Sequence, residues 1–289
     1  MKRVIFLGGL STDDPSTLTP YAQHFSEQFS NYEFGSIFFN DLLFHFKPGG
    51  FSITANGTEL KDYNLVIFRG RLRDHLALAF IICRYLTENG VSFFNDYSLY
   101  RPMPKLAQTH LFYQLGLPFA ETYYSLDSDK LGKAAQKLGY PLILKDNYGS
   151  HGQNNFLIKD YSELTSRLKK SGAEMLAQKY HANDNDYRIF LAGDQPPLVI
   201  KRTAAAGTHL NNTSRGGKAE LSSLPQEYID QGRRLAKELN MQLAGVDVLQ
   251  DKNTGEMIFL EINSQPQLVT GALTKEKSEL FGGLLDSIL

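Results

Sequence analysis

Two carboxylates and a carboxamide near the end of this 289-residue chain have the types and spacing to hold a divalent cation. Residues 243–263 read as a hairpin: LAGVDVLQ, a turn at DKNTG, then EMIFLEIN. With the turn centred on Thr254, Asp247 faces Glu261 across an antiparallel pair. Asn263, two residues on, projects from the same face. Like charges directly opposite in such a pair repel. A hydrophobic hairpin that keeps them together therefore suits a cation between them, and three oxygen ligands of this kind suit Mg²⁺. The alternative is a solvated hairpin face with the charges splayed apart.

Four further groups accompany it. In PLILKDNYGSHGQNN a strand ends at Lys145 and runs into a loop with Gly149, Ser150 and Gly152. Glycines let backbone N–H groups approach phosphate oxygens, and the lysine adds a point charge. It is not a Walker loop, because Lys145 precedes the glycines and no G-K-[ST] closes them; an exposed hairpin turn is the plain alternative. Gln178, Lys179, Tyr180 and His181 follow the next strand and form either a hinge whose backbone pairs with a purine edge or an ordinary linker. Asp186 and Arg188 share one face of a strand, and Lys201-Arg202 lie on the next. A tight Gly193 turn brings Arg188 near Lys201, which suits an anion or a phosphoryl group, or else makes a surface ion-pair ladder. Finally, about seventeen residues over 203–219, with Asn211, Asn212, Arg215, Gly216 and Gly217, read as a loop without regular structure. Such loops inside compact domains are functional or disordered.

These groups need a framework. The first hundred residues alternate strand and helix signals: strands over 3–7, 36–39, 44–46, 51–54, 65–68 and 91–94, and helices over 21–29 and 72–88. The second helix carries Leu72, Leu76, Phe80, Cys83 and Leu86 at helical spacing. Alternation of this kind predicts an open, mostly parallel sheet. After Pro102 and Pro104 comes a helix over 105–115, then a small α+β unit with strands over 119–125, 141–145, 156–158 and 174–178. Its helices span 128–138, opened by Asp127 or Ser128, and 161–170. The remainder reads as antiparallel: strands over 187–191 and 198–202, a helix over 225–239, then the hairpin.

Composition bounds the function. The net charge of −1 at pH 7 gives no field that would draw nucleic acid or an anionic membrane. A single cysteine, Cys83, excludes an intrachain disulfide framework and fits a reducing cytoplasm. The apolar start, MKRVIFLGGL, is too short for a signal peptide and reads as a buried first strand. No stretch approaches the length of a membrane span. Arg69 and Arg71, in FRGR at a strand end, sit where ligands gather in open sheets; they bind a substrate carboxylate or only pair with Asp74 or Asp96.

Taken in order, Lys105, Lys145 with its glycine loop, AQKY, D-x-R, K-R, NTSRGGKAE, GVDVL and LEINSQP resemble the ATP-grasp ligases, most of all the RimK-type glutamate ligases and bacterial glutathione synthetases. The resemblance covers roughly residues 102–272. It implies a mixed α/β and α+β architecture, the ATP-grasp fold: an N-terminal parallel-sheet domain (1–101), a small central lid domain with the glycine loop (102–181) and a C-terminal antiparallel-sheet domain with the metal site (182–289). By the same resemblance, Asp247, Glu261 and Asn263 hold Mg²⁺ (or Mn²⁺) on the ATP phosphates, and Lys105 and Lys145 touch those phosphates. Ser150 and Gly152 cover them, Gln178 to His181 form the adenine hinge, and Asp186 lies near the ribose. Arg202 stabilises the transferred phosphoryl group, while Arg188, Asn212 and Arg215 surround the phosphates and the substrate. Four positions depart from the pattern: Pro104 stands where aspartate commonly precedes the lysine, Lys179 replaces an acidic or amide hinge residue, Asn154 replaces a glycine, and Gln265 replaces a small residue.

The implied reaction joins a carboxylate to an amine through an acyl phosphate, releasing ADP and phosphate. Its substrates are small molecules or peptides, and a dimer or tetramer is expected. The rival readings are a kinase acting on a small-molecule hydroxyl and a non-catalytic ATP-binding module.

Overall fold

The computed structural model describes residues 1–10, 18–70, 72, 75–98, 104–149, 154–203 and 218–289. It begins with β1 (Lys2–Leu7), α1 (Thr19–Gln28) and β2 (Tyr32–Ile37), then β3 (Leu42–Lys47), β4 (Gly50–Ala55) and β5 (Thr58–Glu59). β6 (Leu65–Phe68), α2 (Leu76–Glu88) and β7 (Ser92–Phe94) follow. The parallel sheet has the order β2-β1-β6-β7, and β3, β4 and β5 form a separate antiparallel sheet. Ile5, Leu7, Val66 and Phe68 pack into one core with α2, while Val4, Phe6 and Ile67 pack into another with α1. Burial of both faces is why these strands read as unbroken apolar runs. The expected strand at 36–39 is displaced toward the N-terminus: β2 ends at Ile37, and Phe39–Asp41 make a 3₁₀ turn fastened by the Asp41 carboxylate accepting from the Phe38 N–H at 2.8 Å. α2 begins at Leu76 rather than Leu72, whose buried side chain precedes the helix.

The middle of the chain holds α3 (Lys105–Gln114), β8 (Thr122–Tyr124), α4 (Ser128–Ala135), β9 (Leu142–Asp146), β10 (Asn155–Ile158), α5 (Tyr161–Lys170) and β11 (Met175–Lys179). The Asp127 carboxylate caps α4 through the N–H groups of Asp129 and Lys130, and Asp160 caps α5 through Glu163. The antiparallel order is β10-β9-β11-β8, and its core (Leu131, Leu142, Leu144, Leu164, Leu168 and neighbours) is made only of residues from this segment.

The last part contains β12 (Asn185–Ala192), β13 (Leu198–Thr203), β14 (Lys218–Ser222), α6 (Gln226–Glu238), β15 (Leu243–Gln250), β16 (Met257–Asn263) and α7 (Thr274–Ile288). The sheet order is β14-β13-β12-β15-β16. β14 takes Lys218 and Ala219 out of the expected irregular loop, because their backbones pair with Thr203 and Arg202. α6 covers the sheet face carrying Ile189, Leu191, Val246 and Val248. α7, which the sequence reading did not include, lies on the other face, where Phe281, Leu284 and Leu285 pack against Phe190, Ala192, Leu198 and Leu243. Phe281 also meets Phe25 at a centroid distance of 4.4 Å, so α7 ties this sheet to the parallel one. Gly193 has φ 53°, and a Cβ there would stand 2.8 Å from the Leu284 side chain, so glycine in the β12–β13 turn lets α7 dock without shifting that leucine. Among the described residues, no helix is long and apolar enough to cross a membrane.

Candidate active site

The acidic hairpin has the expected pairing, reached by an irregular route. Gln250 faces Met257 and Val248 faces Phe259, a ladder that would oppose Asp247 to Leu260 if it continued regularly. One extra residue, Leu260, bulges out of β16 at that point, and Asp247 instead faces Glu261 and Gly245 faces Asn263. The bulge thus carries Glu261 and Asn263 onto the face that Asp247 occupies.

On that face the next strand is β12, with Arg188 opposite Asp247 and Asp186 one step along. Arg188 grips Asp247 bidentately: Nε donates to Oδ1 and Nη2 to Oδ2, both at 2.7 Å. Arg202 opposes Asp186 on β13, donates from Nε to Asp186 Oδ1 at 2.6 Å, and stands 3.2 Å from Asp247 Oδ2. Burial opposes ionisation of Asp247, yet the two guanidinium groups overcome it and hold the carboxyl below its ordinary range. At Asp186 burial wins and lifts the carboxyl to about 6. The Arg202 proton is held more firmly than usual by both aspartates, against the cost of burial. The expected approach of Lys201 to Arg188 does not occur. Register sets Arg188 opposite Ile200 and Lys201 opposite Tyr187, on the other face, where Lys201 pairs with Glu220 at 3.4 Å.

Across the cleft is Lys145, in β9 and 8 % exposed. Burial and the neighbouring charge of Lys105 lower its pKa to about 8, with Glu261 pulling the other way. The Lys105 ammonium donates to the Gly149 carbonyl. Two lysines of the central segment and a carboxylate of the C-terminal hairpin therefore share one electrostatic neighbourhood. Asp247 is engaged by arginines, but Glu261 and Asn263 make no side-chain hydrogen bond or ion pair among the described residues. The donor set (two carboxylates and a carboxamide) fits a hard cation such as Mg²⁺ in chemistry. It fits once Arg188 and Arg202 share Asp247 with that ion.

The hinge residues are anchored. Gln178 Nε2 donates to Thr122 Oγ1 at 2.8 Å, and the Lys179 N–H donates to the Glu121 carbonyl at 2.9 Å, leaving the Lys179 side chain exposed. Tyr180 is partly buried. His181 Nδ1 lies 2.6 Å from Asp251 Oδ2, and the Lys252 N–H donates to the Ala182 carbonyl at 2.6 Å. The turn of the acidic hairpin is thereby fastened to the hinge. His181 Nε2 is buried without a partner among the described residues.

Two polar residues outside the sequence reading set the geometry. Asn147, 3 % exposed, accepts the Leu106 N–H on Oδ1 at 2.9 Å, and its carbonyl accepts the Lys105 N–H at 3.0 Å. It pins the start of α3 to the glycine loop. Gln108 accepts the Ile262 N–H at 2.8 Å and fixes α3 against β16. Neither announces itself in sequence, since a buried amide looks like an exposed one until the fold covers it. The positions that depart from the family pattern are accommodated. Pro104 supplies the carbonyl that accepts the Gln108 N–H, Asn154 adopts φ 50° with its amide 3.3 Å from Asp146, and Gln265 donates to the Tyr97 hydroxyl at 3.4 Å. Arg69 does not pair with Asp96, whose carboxylate instead accepts from the Ser98 backbone and hydroxyl. Its Nη2 donates to the Tyr21 hydroxyl at 2.6 Å and the Pro266 carbonyl at 2.9 Å. Ser150, Gly152, Asn212, Arg215, Arg71 and Asp74 lie outside the described residues.

Comparison with known proteins places the chain. A protein from Vibrio atlanticus named "Probable alpha-L-glutamate ligase" is 30% identical over 223 residues, 73% of this chain and 72% of that protein. One from Shewanella baltica, "Probable alpha-L-glutamate ligase 2", is 30% identical over 82% of this chain and 80% of its own length. Among solved structures, a Chryseobacterium gregarium RiPP-associated ATP-grasp ligase in complex with ADP and a leader and core peptide superposes with a TM-score of 0.71. Its identity is 14%, over 99% of this chain and 97% of that one. D-alanine–D-alanine ligase from Bacillus anthracis, complexed with ATP, gives 0.65 at 18% identity over 100% and 96%. At those identities the likeness is one of fold. The RimK-like ATP-grasp domain model matches residues 103–288, and with the relatives above it shows that the chain belongs to the RimK-like ATP-grasp family.

Proposed function

We propose that the cleft between Lys145 and the Asp247–Glu261 hairpin carries out the family's reaction, the ATP-dependent joining of a carboxylate to an amine, and that its described residues divide the work as follows. Lys105 and Lys145 receive the phosphates from the central sheet. Glu261, Asn263 and Asp247 hold Mg²⁺, or Mn²⁺ as the alternative ion, on the other wall. Bound there, the ion neutralises phosphate charge. Gln178 to His181 present backbone and side chains to the adenine, with Asp186 nearby. Arg202 and Arg188, already positioned by Asp186 and Asp247, neutralise charge as the substrate carboxylate attacks the γ-phosphorus to give an acyl phosphate. The amine then attacks the acyl carbon and phosphate leaves. Little of this needs covalent help; alignment and fixed charge do most of it. Ser150, Gly152, Asn212 and Arg215 keep the closing and substrate roles that the resemblance implies, since an acyl phosphate exposed to water is lost.

The observation that carries this reading is a buried Lys145, without an ion pair among the described residues, facing Glu261 and Asn263, whose side chains make no hydrogen bond or ion pair among those residues. Domain bounds at 102 and 182 are part of the proposal; the separate core, Leu131 to Ala177, supports a distinct central unit, while Leu111, Phe112 and Leu117 of α3 and its C-terminal end pack with α2 and the C-terminal sheet. A cytoplasmic location and a dimer or tetramer remain part of the proposal. The relatives are named for glutamate, and several neighbours bind peptides, so the substrates proposed are amino acids and peptides. The test is an ADP-release screen of amino acids and short peptides paired as donor and acceptor, with mass spectrometry of the product. An amide product with amine-dependent phosphate release is expected. A phosphorylated product without phosphate release would point instead to a kinase.

A further inference from the structure

A second feature lies beside this cleft, on the α7 side of the five-stranded sheet. Arg188, Arg202, Gln267, Ala272 and Lys277 are among the residues that line an open cavity of about 330 Å³. Lys277 is 2 % exposed. Its ammonium donates to the carbonyls of Gln267 at 3.0 Å and Thr270 at 2.8 Å and meets no carboxylate among the described residues. An ammonium has three donors, so one stays unspent. Burial lowers its pKa to about 8, and the charges of Arg188 and Arg69 add to that. The lysine also sits in the first turn of α7, where the helix dipole disfavours a cation.

A buried cation without a counter-ion is costly. Two neutral carbonyls repay little of that, and methionine would fill the same space without the charge. Behind it, Arg69 is 4 % exposed and keeps Nε and Nη1 unpartnered among the described residues, while its Nη2 holds the Pro266 carbonyl beside Arg188. Three buried or half-buried cations thus converge on one cavity edge. Among the described residues, Asp247 and Asp186 are already committed to arginines, and Glu276 acts on Lys277 through its charge without forming an ion pair.

We propose that this cavity seats a carboxylate of an amino-acid or peptide substrate that does not itself react, with Lys277 and Arg188 as its cationic clamp and Arg69 reinforcing them from behind. The proposal rests on the ligase reading above. The reacting group must reach the hairpin carboxylates and Lys145, whereas Lys277 is held against the 267–270 segment; what it grips is therefore a spectator carboxylate, which makes Lys277 a specificity-determining residue.

Isothermal calorimetry on the full chain saturated with Mg²⁺ and a non-hydrolysable ATP analogue tests this, using L-glutamate, its two mono-amides and inorganic phosphate as probes. Glutamate is expected to bind, and at least one mono-amide to bind about tenfold or more weakly. Lys277→Met should weaken glutamate by a similar factor and erase that discrimination, leaving the affinity for the ATP analogue unchanged. Because Lys277 also ties down two carbonyls, Ala272→Glu is the second variant. It leaves those bonds alone, places a carboxylate in the cavity and should expel glutamate. Lys275→Ala, on the exposed side of α7, should change nothing. Full glutamate affinity in both Lys277→Met and Ala272→Glu overturns the proposal, as does wild-type protein that binds phosphate as well as glutamate or binds no carboxylate probe. Absence of ADP release from the wild type with every donor–acceptor pair would instead defeat the ligase reading itself.

Discussion

Asp247→Asn and Glu261→Gln should separate two duties that the proposed metal site combines. Both substitutions remove a carboxylate offered to the same ion, and each should lower turnover by about 100-fold or more. Their effects on folding should differ. Asp247 accepts three charge-assisted contacts, at 2.7, 2.7 and 3.2 Å, from two arginines inside the sheet. An asparagine keeps one acceptor and turns an amide N–H toward a guanidinium, so Arg188 loses its counter-ion while still partly buried. Breaking one partner of a buried pair costs about 3–5 kcal/mol. With about 2–4 °C per kcal/mol for a chain of this size, Tm should fall by roughly 6–20 °C. Glu261 has no such partner, and its loss should cost under about 1 kcal/mol. The assay is thermal unfolding at pH 7 with and without Mg²⁺ and nucleotide. At that pH the depressed Asp247 carboxyl is ionised in both states, so its contribution is fully present; it is lost only as pH falls through the folded-state value. A Tm for Asp247→Asn within about 2 °C of wild type, or a larger drop for Glu261→Gln, would refute the account of Asp247 as the counter-ion of both arginines.

Lys145→Met should weaken ATP binding without destabilising the protein. A pKa lowered from 10.5 to about 8 places the penalty on the charged form near 3 kcal/mol, so Tm at pH 7 should be no lower than wild type. The same lowering sets a pH dependence: kcat/KM should decline above about pH 8 as free Lys145 loses its proton and charge, and a profile flat to pH 9.5 would contradict it. Asn147→Ala should raise KM for ATP severalfold with kcat less affected, because it removes the side-chain acceptor of the Leu106 N–H and loosens the start of α3 beside Lys105; an equal fall in kcat with KM unchanged would contradict that. Cys83, fully buried with its thiol pushed up to about 12, should resist thiol reagents in the native protein and react only on unfolding.

Much of the fold was legible because its physical signals are local. Apolar runs with both faces buried marked β1 and β6, and helical spacing marked α2. A capping residue marked α4, and the span of α5, 161–170, matches the expected one. Of the site, Asp247 and Glu261 could be paired from a turn count. β14 and α7 were not legible: an exposed edge strand and a C-terminal helix carry weak patterns, and only packing against β13 and against Phe25 and Phe190 explains them.

The amino-acid order alone determined which groups were available: the acidic pair and the carboxamide on one hairpin, a lysine ending a strand before glycines, and the order that marks the family. What only the tertiary structure decided is how those groups are charged and which of them stay free. The Leu260 bulge, not the turn alone, set Glu261 opposite Asp247. Register sent Lys201 to the far face and gave Asp247 to Arg188 and Arg202, and α7 buried Lys277 without an ion pair among the described residues. Sequence specifies chemistry residue by residue, but a charge acquires its energy from the groups that folding brings beside it and from the water that folding takes away.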